Sequence, residues 1–334
     1  MSLKFVREER CRAGIINPER LSLLACPACR GELDPDWCCQ SCGIGFAAPD
    51  GVPALRLPGD ARTETVRDFY TETPFPNYPP QASLSWLRAR ADRSEFARLL
   101  DAAIPSGAKV VEVGCGTGQM SLYLARRDRR VIGADLTRAS LLLAAQAAAR
   151  FGIDGVSFVE TDLTRPALRR GAFDVVYCSG VLHHTPDPRA AFARIAELAR
   201  PGGLIILGLY NAVARLPLRL RRAVARLSGE RWIPFDPVLR DRAVEPERRA
   251  AWLRDQYRHP EEHRHTLGEV RRWFAENQVT FIRSYPPSFG DGELSSLLEP
   301  EDDPWMPGDW MTQLGWISSL GGEGGLFVTI GRAN

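Results

Sequence analysis

One ten-residue stretch decides how this sequence folds: Lys109-Val110-Val111-Glu112-Val113-Gly114-Cys115-Gly116-Thr117-Gly118. Its first half has the apolar pattern of a buried strand, and its second half is a glycine-rich turn followed by a helical segment. Glycine lets the backbone turn sharply and approach a ligand closely, while a helix N-terminus offers unpaired N–H groups to an anionic group. The stretch therefore predicts a strand, turn and helix that bind a small ligand; a tight connection without a ligand is the alternative.

Strand-like and helix-like segments alternate along the chain after this turn, and this predicts an α/β fold with a mainly parallel sheet covered on both faces. The predicted strands are Lys109–Val113, Val131–Ala134, Val156–Val159, Phe173–Cys178, Leu204–Leu209, Val279–Ser284 and Leu326–Ile330. The predicted helices are Met120–Arg126, Ser140–Phe151, Arg189–Leu198 and one that begins at a capping box on Thr266.

Breaks in these patterns predict the domain organisation. Residues 1–57 form an N-terminal segment with a cysteine-rich module, 58–82 a linker and lid segment rich in proline, and 83–334 the α/β domain. Two stretches are too long to be simple connections and are predicted to be insertions, a helical one at 211–265 and a second one at 286–325.

Composition excludes some classes of function. The formal net charge of +2 provides no whole-protein positive field for nucleic acid, although one helical stretch around 215–226 is rich in arginine. No apolar run is long enough to span a bilayer or to form a signal core, so we expect a cytoplasmic protein with no membrane partner. No obligate protein partner is evident from the sequence.

Five of the eight cysteines crowd one short segment, which in a reducing compartment favours metal binding over disulfides. Cys26 and Cys29 form one Cys-x-x-Cys knuckle, and Cys39 and Cys42 form a second. Four thiolates fill the tetrahedral coordination of Zn²⁺ and leave no open position, so the pattern predicts a structural zinc ribbon. Cys38 competes with Cys39 for the register, and a group of unrelated free thiols is the alternative.

Two carboxylates follow strands and would lie beside the glycine turn. Asp135 ends the second predicted strand and Asp162 follows the third, so both belong in the crevice where open α/β sheets bind ligands. A carboxylate there can accept hydrogen bonds from ribose hydroxyls, although Asp162 could equally be a helix cap. The dinucleotide fingerprint G-x-G-x-x-G requires glycine where Gln119 stands, and this disfavours a nicotinamide cofactor.

These residues resemble the successive motifs of class I S-adenosylmethionine (SAM)-dependent methyltransferases. The resemblance covers roughly residues 83–334 and rests on residues 111–118, Asp135, residues 160–162 and Phe173-Asp174-Val175-Val176. It implies a Rossmann-like seven-stranded sheet in the order 3-2-1-4-5-7-6 with the last strand antiparallel, and SAM as cofactor. The SAM-binding residues that it implies are Glu112, Gly114, Cys115, Gly116, Gly118, Gln119, Asp135, Leu136, Thr161, Asp162, Leu163, Ser179 and Gly180.

The cysteine-rich module has a resemblance of its own. Together with Asp50-Gly51-Val52-Pro53-Ala54-Leu55 it is similar to the short zinc-binding proteins that activate RNA and protein methyltransferases, and also to the zinc finger of certain ribosomal RNA guanine methyltransferases. This second similarity keeps an RNA substrate open.

Candidate catalytic residues are few. His183 and His184 follow the fourth strand, where this family faces its acceptor, and one of them is a candidate base; packing is the alternative. Tyr257 and His259 are candidate pocket residues, and His259 with His263 and His265 could alternatively hold a metal. The aromatic segments Phe69-Tyr70 and Phe75-Pro76-Asn77-Tyr78 resemble a lid, or else pack the ribbon onto the domain.

Three functions remain open on the sequence. Methylation of a small-molecule metabolite is the leading hypothesis, because two insertions could roof a closed pocket. The alternatives are an RNA methyltransferase that grips RNA with the ribbon and the arginine-rich helices, and a non-catalytic SAM-binding or scaffold protein. The motif Asn/Asp-Pro-Pro-Tyr/Phe is absent after the fourth strand, where Cys178-Ser179-Gly180-Val181 stands, so methylation of exocyclic base amines is disfavoured.

Overall fold

A computed structural model describes most of the chain. The described residues are 17–72, 74, 78–79, 82–229, 232–233, 236, 239, 249, 252–253, 256–257, 262–287, 294–301, 306–320 and 324–334, with the side chains of 306 and 307 excepted.

One seven-stranded sheet organises the molecule. Its strands are β1 (Lys109–Val113), β2 (Arg130–Asp135), β3 (Val156–Glu160), β4 (Phe173–Ser179), β5 (Ala199–Tyr210), β6 (Val279–Tyr285) and β7 (Leu326–Ala333). Their order is β3-β2-β1-β4-β5-β7-β6, as predicted. The first five strands run parallel, and β7 pairs antiparallel with both β5 and β6.

Strand β5 begins five residues earlier than the pattern predicts. Phe173 pairs with Ala199 and Val175 pairs with Leu204, so the residues between Ala199 and Leu204 form an irregularity in the ladder. The pattern leaves Arg200-Pro201-Gly202-Gly203 between the predicted helix Arg189–Leu198 and the predicted strand, because proline and glycine usually break regular structure. An interrupted strand accommodates them as well.

Helices cover both faces of the sheet. They are α1 (Pro18–Leu21), α2 (Ala61–Glu72), α3 (Leu84–Ala91), α4 (Glu95–Ala103), α5 (Gln119–Ala125), α6 (Arg138–Phe151), α7 (Pro188–Ala196), α8 (Leu216–Leu227), α9 (Leu267–Glu276) and α10 (Met306–Ser319). The predicted capping box begins α9, where the Thr266 hydroxyl accepts from the Glu269 N–H at 3.2 Å. Helix α2 lies inside the stretch expected to be a linker and lid, and Asp60 caps it by accepting from the Thr63 N–H at 2.9 Å.

The cysteine-rich module is joined to the free edge of the sheet at β3. The Glu160 N–H donates to the Pro53 carbonyl at 3.0 Å, and the Ala25 N–H donates to the Ala167 carbonyl at 3.1 Å. Apolar residues of the module, including Leu24 and Leu55, lie in the same buried cluster as residues of β1, β2 and β3. The module therefore covers the β3 edge and shares a core with the α/β domain.

The first insertion is anchored by buried polar residues. Arg215 is 1% exposed, and its guanidinium stacks on the Tyr210 ring at 3.6 Å and donates to a Glu262 carboxylate oxygen at 2.9 Å. The His263 N–H donates to the His183 carbonyl at 2.7 Å. These contacts hold residues 262–263 beside the chain that leaves β4.

Among the described residues, no helix is long and apolar enough to cross a membrane.

Candidate functional site

The glycine-rich turn lies at the carboxyl end of β1 and is held by the end of β2. The N–H groups of Gly114 and Cys115 both donate to the Ala134 carbonyl, at 2.7 and 3.1 Å, and the Gly118 N–H donates to the Cys115 carbonyl at 2.8 Å. Since parallel strands end at the same edge, the turn meets the ends of β2, β3 and β4 in one crevice.

Two glycines, one in the turn and one just after β4, shape this region. Gly114 has φ of +74°, and a Cβ there would lie 2.2 Å from a methyl group of Val181. Gly180, just after β4, has φ of +79°, and apart from its chain neighbours no described residue comes within 4 Å of the position where its Cβ would be. The chain after β4 thus packs directly onto the turn at Gly114, whereas Gly180 borders open space that a ligand could enter.

Asp135 joins the end of β2 to the turn. Its carboxylate accepts from the Gly116 N–H at 2.8 Å and from the Thr137 N–H at 2.7 Å. Burial raises the pKa of Asp135, and the backbone N–H groups of Thr137 and Gly116 oppose this shift. An ionised carboxylate can accept about four hydrogen bonds, so acceptor positions remain for hydroxyl groups of a ligand.

One carboxylate oxygen of Asp162 has no hydrogen-bond partner among the described residues. Its Oδ1 accepts from the backbone N–H and the hydroxyl of Thr164, both at 2.8 Å. Its Oδ2 is buried and has no hydrogen-bond partner among the residues described. Leaving a buried acceptor unpaired costs about 1–3 kcal/mol. This oxygen therefore fits a ligand that brings an N–H or O–H donor. Thr161 beside it is buried, and its hydroxyl accepts from the Ala167 N–H at 2.8 Å.

Glu112 lies beneath the turn and is 7% exposed. Burial raises its pKa to about 8, the negative charge of Asp135 adds to the shift, and hydrogen bonds from Ser121 oppose it. The Ser121 hydroxyl donates directly to the carboxylate. Tyr177 pairs with Glu112 across the β1–β4 ladder, so a buried polar cluster supports the floor of the crevice.

Two further residues contact the turn. The Tyr78 hydroxyl donates to the Thr117 carbonyl at 2.8 Å, and its ring packs against Phe151. The Arg90 guanidinium donates to the Gln119 side-chain oxygen at 3.1 Å. The proline-rich aromatic pattern of the predicted lid gave a signal for Tyr78, whereas residues 75–77 lie outside the described residues. Arg90 gave no signal, because exposed arginines are common on charged helices.

The histidine pair lies on a short 3₁₀ turn, Leu182–His184, directly after β4 and Gly180. His183 is fully buried; its ring stacks on Tyr210 at 3.8 Å, and its Nδ1 accepts from the Tyr210 N–H at 3.3 Å. His184 is 5% exposed and meets the edges of the Tyr210 and Tyr70 rings at 5.8 and 6.3 Å. His183 is therefore fixed by packing on β5, while His184 lies between β5 and α2.

The other candidate pocket residues are placed differently. The Tyr257 hydroxyl donates to the Asp236 carboxylate at 2.7 Å, so it is engaged within the first insertion. His259 lies outside the described residues. Gln256, which sequence reasoning missed, donates to the Tyr210 hydroxyl at 3.2 Å and so reaches the aromatic group around the histidines.

His263 and His265 stack on each other at 6.4 Å, and His265 Nδ1 lies 3.1 Å from the Glu269 carboxylate. In the part of the chain that the structure describes, they belong to no group of ligand atoms close enough to share a metal ion. Leu136 continues the backbone from Asp135, and Leu163 packs against the cluster shared with the cysteine-rich module.

The four knuckle cysteines converge. The sulfur atoms of Cys26, Cys29, Cys39 and Cys42 all lie within 4.8 Å of one another. The Cys26–Cys42 and Cys29–Cys39 Sγ distances are 3.7 and 3.4 Å. A tetrahedral zinc with Zn–S bonds of about 2.3 Å requires S–S separations near 3.8 Å. The arrangement fits one Zn²⁺, and Cys38 lies outside the group.

Known proteins resemble this chain over part of its length. Residues 111–207 match the family model described as a methyltransferase domain. An uncharacterized protein from Synechococcus sp. is 29% identical over 261 residues, which cover 67% of this chain and 60% of that protein. A ubiquinone biosynthesis O-methyltransferase from Cronobacter sakazakii is 31% identical over 165 residues, covering 48% of this chain and 65% of that protein.

Among solved structures, magnesium protoporphyrin IX methyltransferase from Synechocystis is 17% identical, with a TM-score of 0.49, and the match covers 82% of this chain and all of that one. The chain spans less than two thirds of the length of the curated relatives named above.

Glu112 makes stability depend on pH. Because its pKa of about 8 lies above the ordinary 4.5, the protonated carboxyl stabilises the fold, and this contribution is complete below pH 4.5 and lost as the pH rises through 8. We expect the free energy of unfolding, measured in urea, to fall by at most roughly 5 kcal/mol between pH 5 and pH 8.5. Glu112→Gln should remove this slope, so an equal slope in both proteins would refute the assignment.

Proposed function

We propose that this protein is a SAM-dependent methyltransferase that acts on a small-molecule acceptor. The unsatisfied Asp162 oxygen carries the proposal. The neighbouring Thr161 N–H donates to the Asp135 carbonyl at 2.8 Å, and the Asp135 carboxylate in turn holds the glycine turn. One oxygen that lacks a donor, one carboxylate with spare acceptor positions and one glycine turn that a ligand can approach closely match the adenine, ribose and methionine parts of SAM.

Different residues would contact different parts of the cofactor. Asp135 would accept hydrogen bonds from the ribose hydroxyls, with Leu136 beside it. Asp162 Oδ2 would accept from the adenine amino group, bordered by Thr161 and Leu163. Gly114, Cys115, Gly116 and Gly118 would approach the methionine end, with Glu112 and Gln119 supporting the turn. Ser179 and Gly180 would then face the sulfonium.

Methyl transfer is an in-line displacement that needs alignment, exclusion of water and a base for the acceptor proton. When bound, SAM supplies an electrophilic methyl group on its sulfonium. We assign the base to His184, because His183 Nδ1 is already occupied by the Tyr210 N–H. A ring nitrogen of His184 would take the acceptor proton, while the Tyr210 ring packs against His184.

Two observations support a small acceptor. The histidine pair is buried among Tyr70, Tyr210 and the 262–263 segment, an enclosed environment that suits a small molecule. The ubiquinone biosynthesis O-methyltransferases among the relatives also bear names that point to a small acceptor.

An RNA acceptor is the second candidate, and the arginines of α8 favour it. The two acceptors differ in their response to salt, since binding to a phosphate backbone weakens steeply with ionic strength and binding of a small neutral acceptor does not. A non-catalytic SAM-binding or scaffold protein would bind SAM and transfer no methyl group.

We also propose one structural Zn²⁺ in the ribbon. Four thiolate ligands close its coordination, so the ion stabilises the module without taking part in chemistry. Because the module pairs with Glu160 and Ala167, the zinc would also steady the Thr161-Asp162 loop that lies between them.

The Asp135→Ala variant tests the cofactor assignment. Loss of the carboxylate removes the proposed ribose contact and leaves the Gly116 and Thr137 N–H groups without their acceptor. We expect calorimetric SAM affinity to fall by roughly a hundredfold or more, with about 1–3 kcal/mol lost from the free energy of unfolding. Undiminished SAM affinity would contradict the ribose assignment.

The His184→Gln variant tests catalysis. Transfer of labelled methyl from SAM into a small-molecule extract of cells should fall by roughly 10²–10⁴-fold, since that is the usual contribution of a general base. SAM affinity should stay within about twofold, because the ring is not a proposed cofactor ligand. His183→Gln is the matched control, and it should mainly lower the melting temperature. Label that enters only RNA would overturn the small-molecule assignment.

Cys26→Ser tests the ribbon. Elemental analysis should find about one zinc per chain in the natural protein and much less in the variant. Loss of the metal should also lower SAM affinity, through the docked Thr161-Asp162 loop. Cys38→Ser is the control and should keep its zinc, so a stable protein free of metal would disprove the proposal.

A further inference from the structure

A cavity of about 440 Å³ opens between α8 and the segment 262–264. We call it the arginine groove. Its lining consists of four arginines, one glutamate and one alanine, namely Arg219, Arg222, Ala223, Arg226, Glu262 and Arg264.

The helix places its share of these residues by simple periodicity. Arg219, Arg222, Ala223 and Arg226 are spaced three, four and seven residues apart, so they lie along one face of α8. Alanine at 223 leaves room between the arginines, and Arg264 faces them from the other side.

Glu262 and Arg222 form the base of the groove and neutralise each other. The two nitrogens of the Arg222 guanidinium donate to the two carboxylate oxygens at 2.9 and 2.6 Å, and its Nε donates to the Gln256 carbonyl at 2.6 Å. Arg215 contacts the same carboxylate from behind. Burial opposes ionisation of Glu262, but Arg222 and Arg215 outweigh it and hold its pKa below the ordinary value.

The other three arginines of the groove are not neutralised by any described carboxylate as Arg222 is. Arg219, Arg226 and Arg264 are exposed, and no ion pair joins any of them to a carboxylate within the described part of the chain. Like charges collected along one groove repel each other, so an anion bound among them would relieve the repulsion. Planar guanidinium groups are suited to phosphate oxygens, which they can bind in pairs.

The groove adjoins the acceptor side of the proposed active site. Glu262 lines the groove. The next residue, His263, donates its N–H to the His183 carbonyl. A ligand with its anionic end among the arginines could therefore extend along residues 262–263 towards His184.

We propose that the arginine groove binds the phosphate or diphosphate group of the acceptor, so that the acceptor is a phosphorylated small molecule. This inference rests on the proposed function and specifies its substrate class. A small molecule fits better than RNA, because the buried Glu262 carboxylate closes the base of the groove and the whole chain carries only a formal +2 charge.

The first test titrates inorganic diphosphate into the 334-residue protein by calorimetry. We expect saturable binding at millimolar concentrations or below, weakened by roughly tenfold or more in Arg219→Gln/Arg226→Gln. The control is Arg93→Gln, since Arg93 is an exposed arginine in the turn between α3 and α4 and should leave binding unchanged. Equal melting temperatures would show that the double variant is folded. Absent binding, or equal loss in the control, would overturn the proposal.

The second test treats the small-molecule extract with phosphatase before labelled methyl transfer. Loss of transfer after this treatment is the expected result, and unchanged transfer would overturn the proposal. A single-stranded RNA oligonucleotide that binds through Arg219 and Arg226 with steep salt dependence, while diphosphate does not bind, would also overturn it.

SAM titration separates this inference from the function on which it rests. If the double variant and the natural protein bind SAM equally and only diphosphate binding is absent, the groove assignment fails alone. If diphosphate binds and SAM does not, the proposed function fails and the groove remains an anion site without the assigned acceptor.

Discussion

The parallel pairing of β1 with β2 on one side and β4 on the other is the constraint on which the rest of the structure depends. Pairing in this register brings the ends of the strands to one edge. There the Ala134 carbonyl can hold the N–H groups of Gly114 and Cys115, and the Asp135 carboxylate can hold that of Gly116. The turn is preorganised by its neighbours and not by its own sequence alone.

This preorganisation has an electrostatic cost. Near the turn Glu112 is buried and Asp135 is half-buried, and loss of solvation raises the pKa of each. Backbone N–H groups support Asp135, and the Ser121 hydroxyl supports Glu112. A sulfonium cofactor that carries an ammonium group would bring positive charge to this acidic floor, so acidity and ligand chemistry are complementary.

The parts added to the sheet act on the site from outside. The cysteine-rich module covers the β3 edge and pairs with residues on either side of Asp162, while α2 brings Tyr70 to His184. In the first insertion Arg215 holds Glu262, and the next residue, His263, donates its N–H to the turn that carries the histidines. Under the proposed function, different segments therefore shape the cofactor side and the acceptor side, and this would separate affinity for SAM from the choice of acceptor.

Local patterns in the sequence were sufficient for the strands, the glycine turn, the α9 cap and the four knuckle cysteines, because periodicity, backbone sterics and thiolate spacing act over a few residues. The strand order came from the family resemblance. Tertiary structure alone decided which histidine is locked by Tyr210, that Asp162 keeps an unsatisfied oxygen, and that Glu262 is shared by two arginines. These properties arise from residues far apart in the chain, such as Arg222 and Glu262, whose contact depends on how the insertion packs and leaves no local pattern in the sequence.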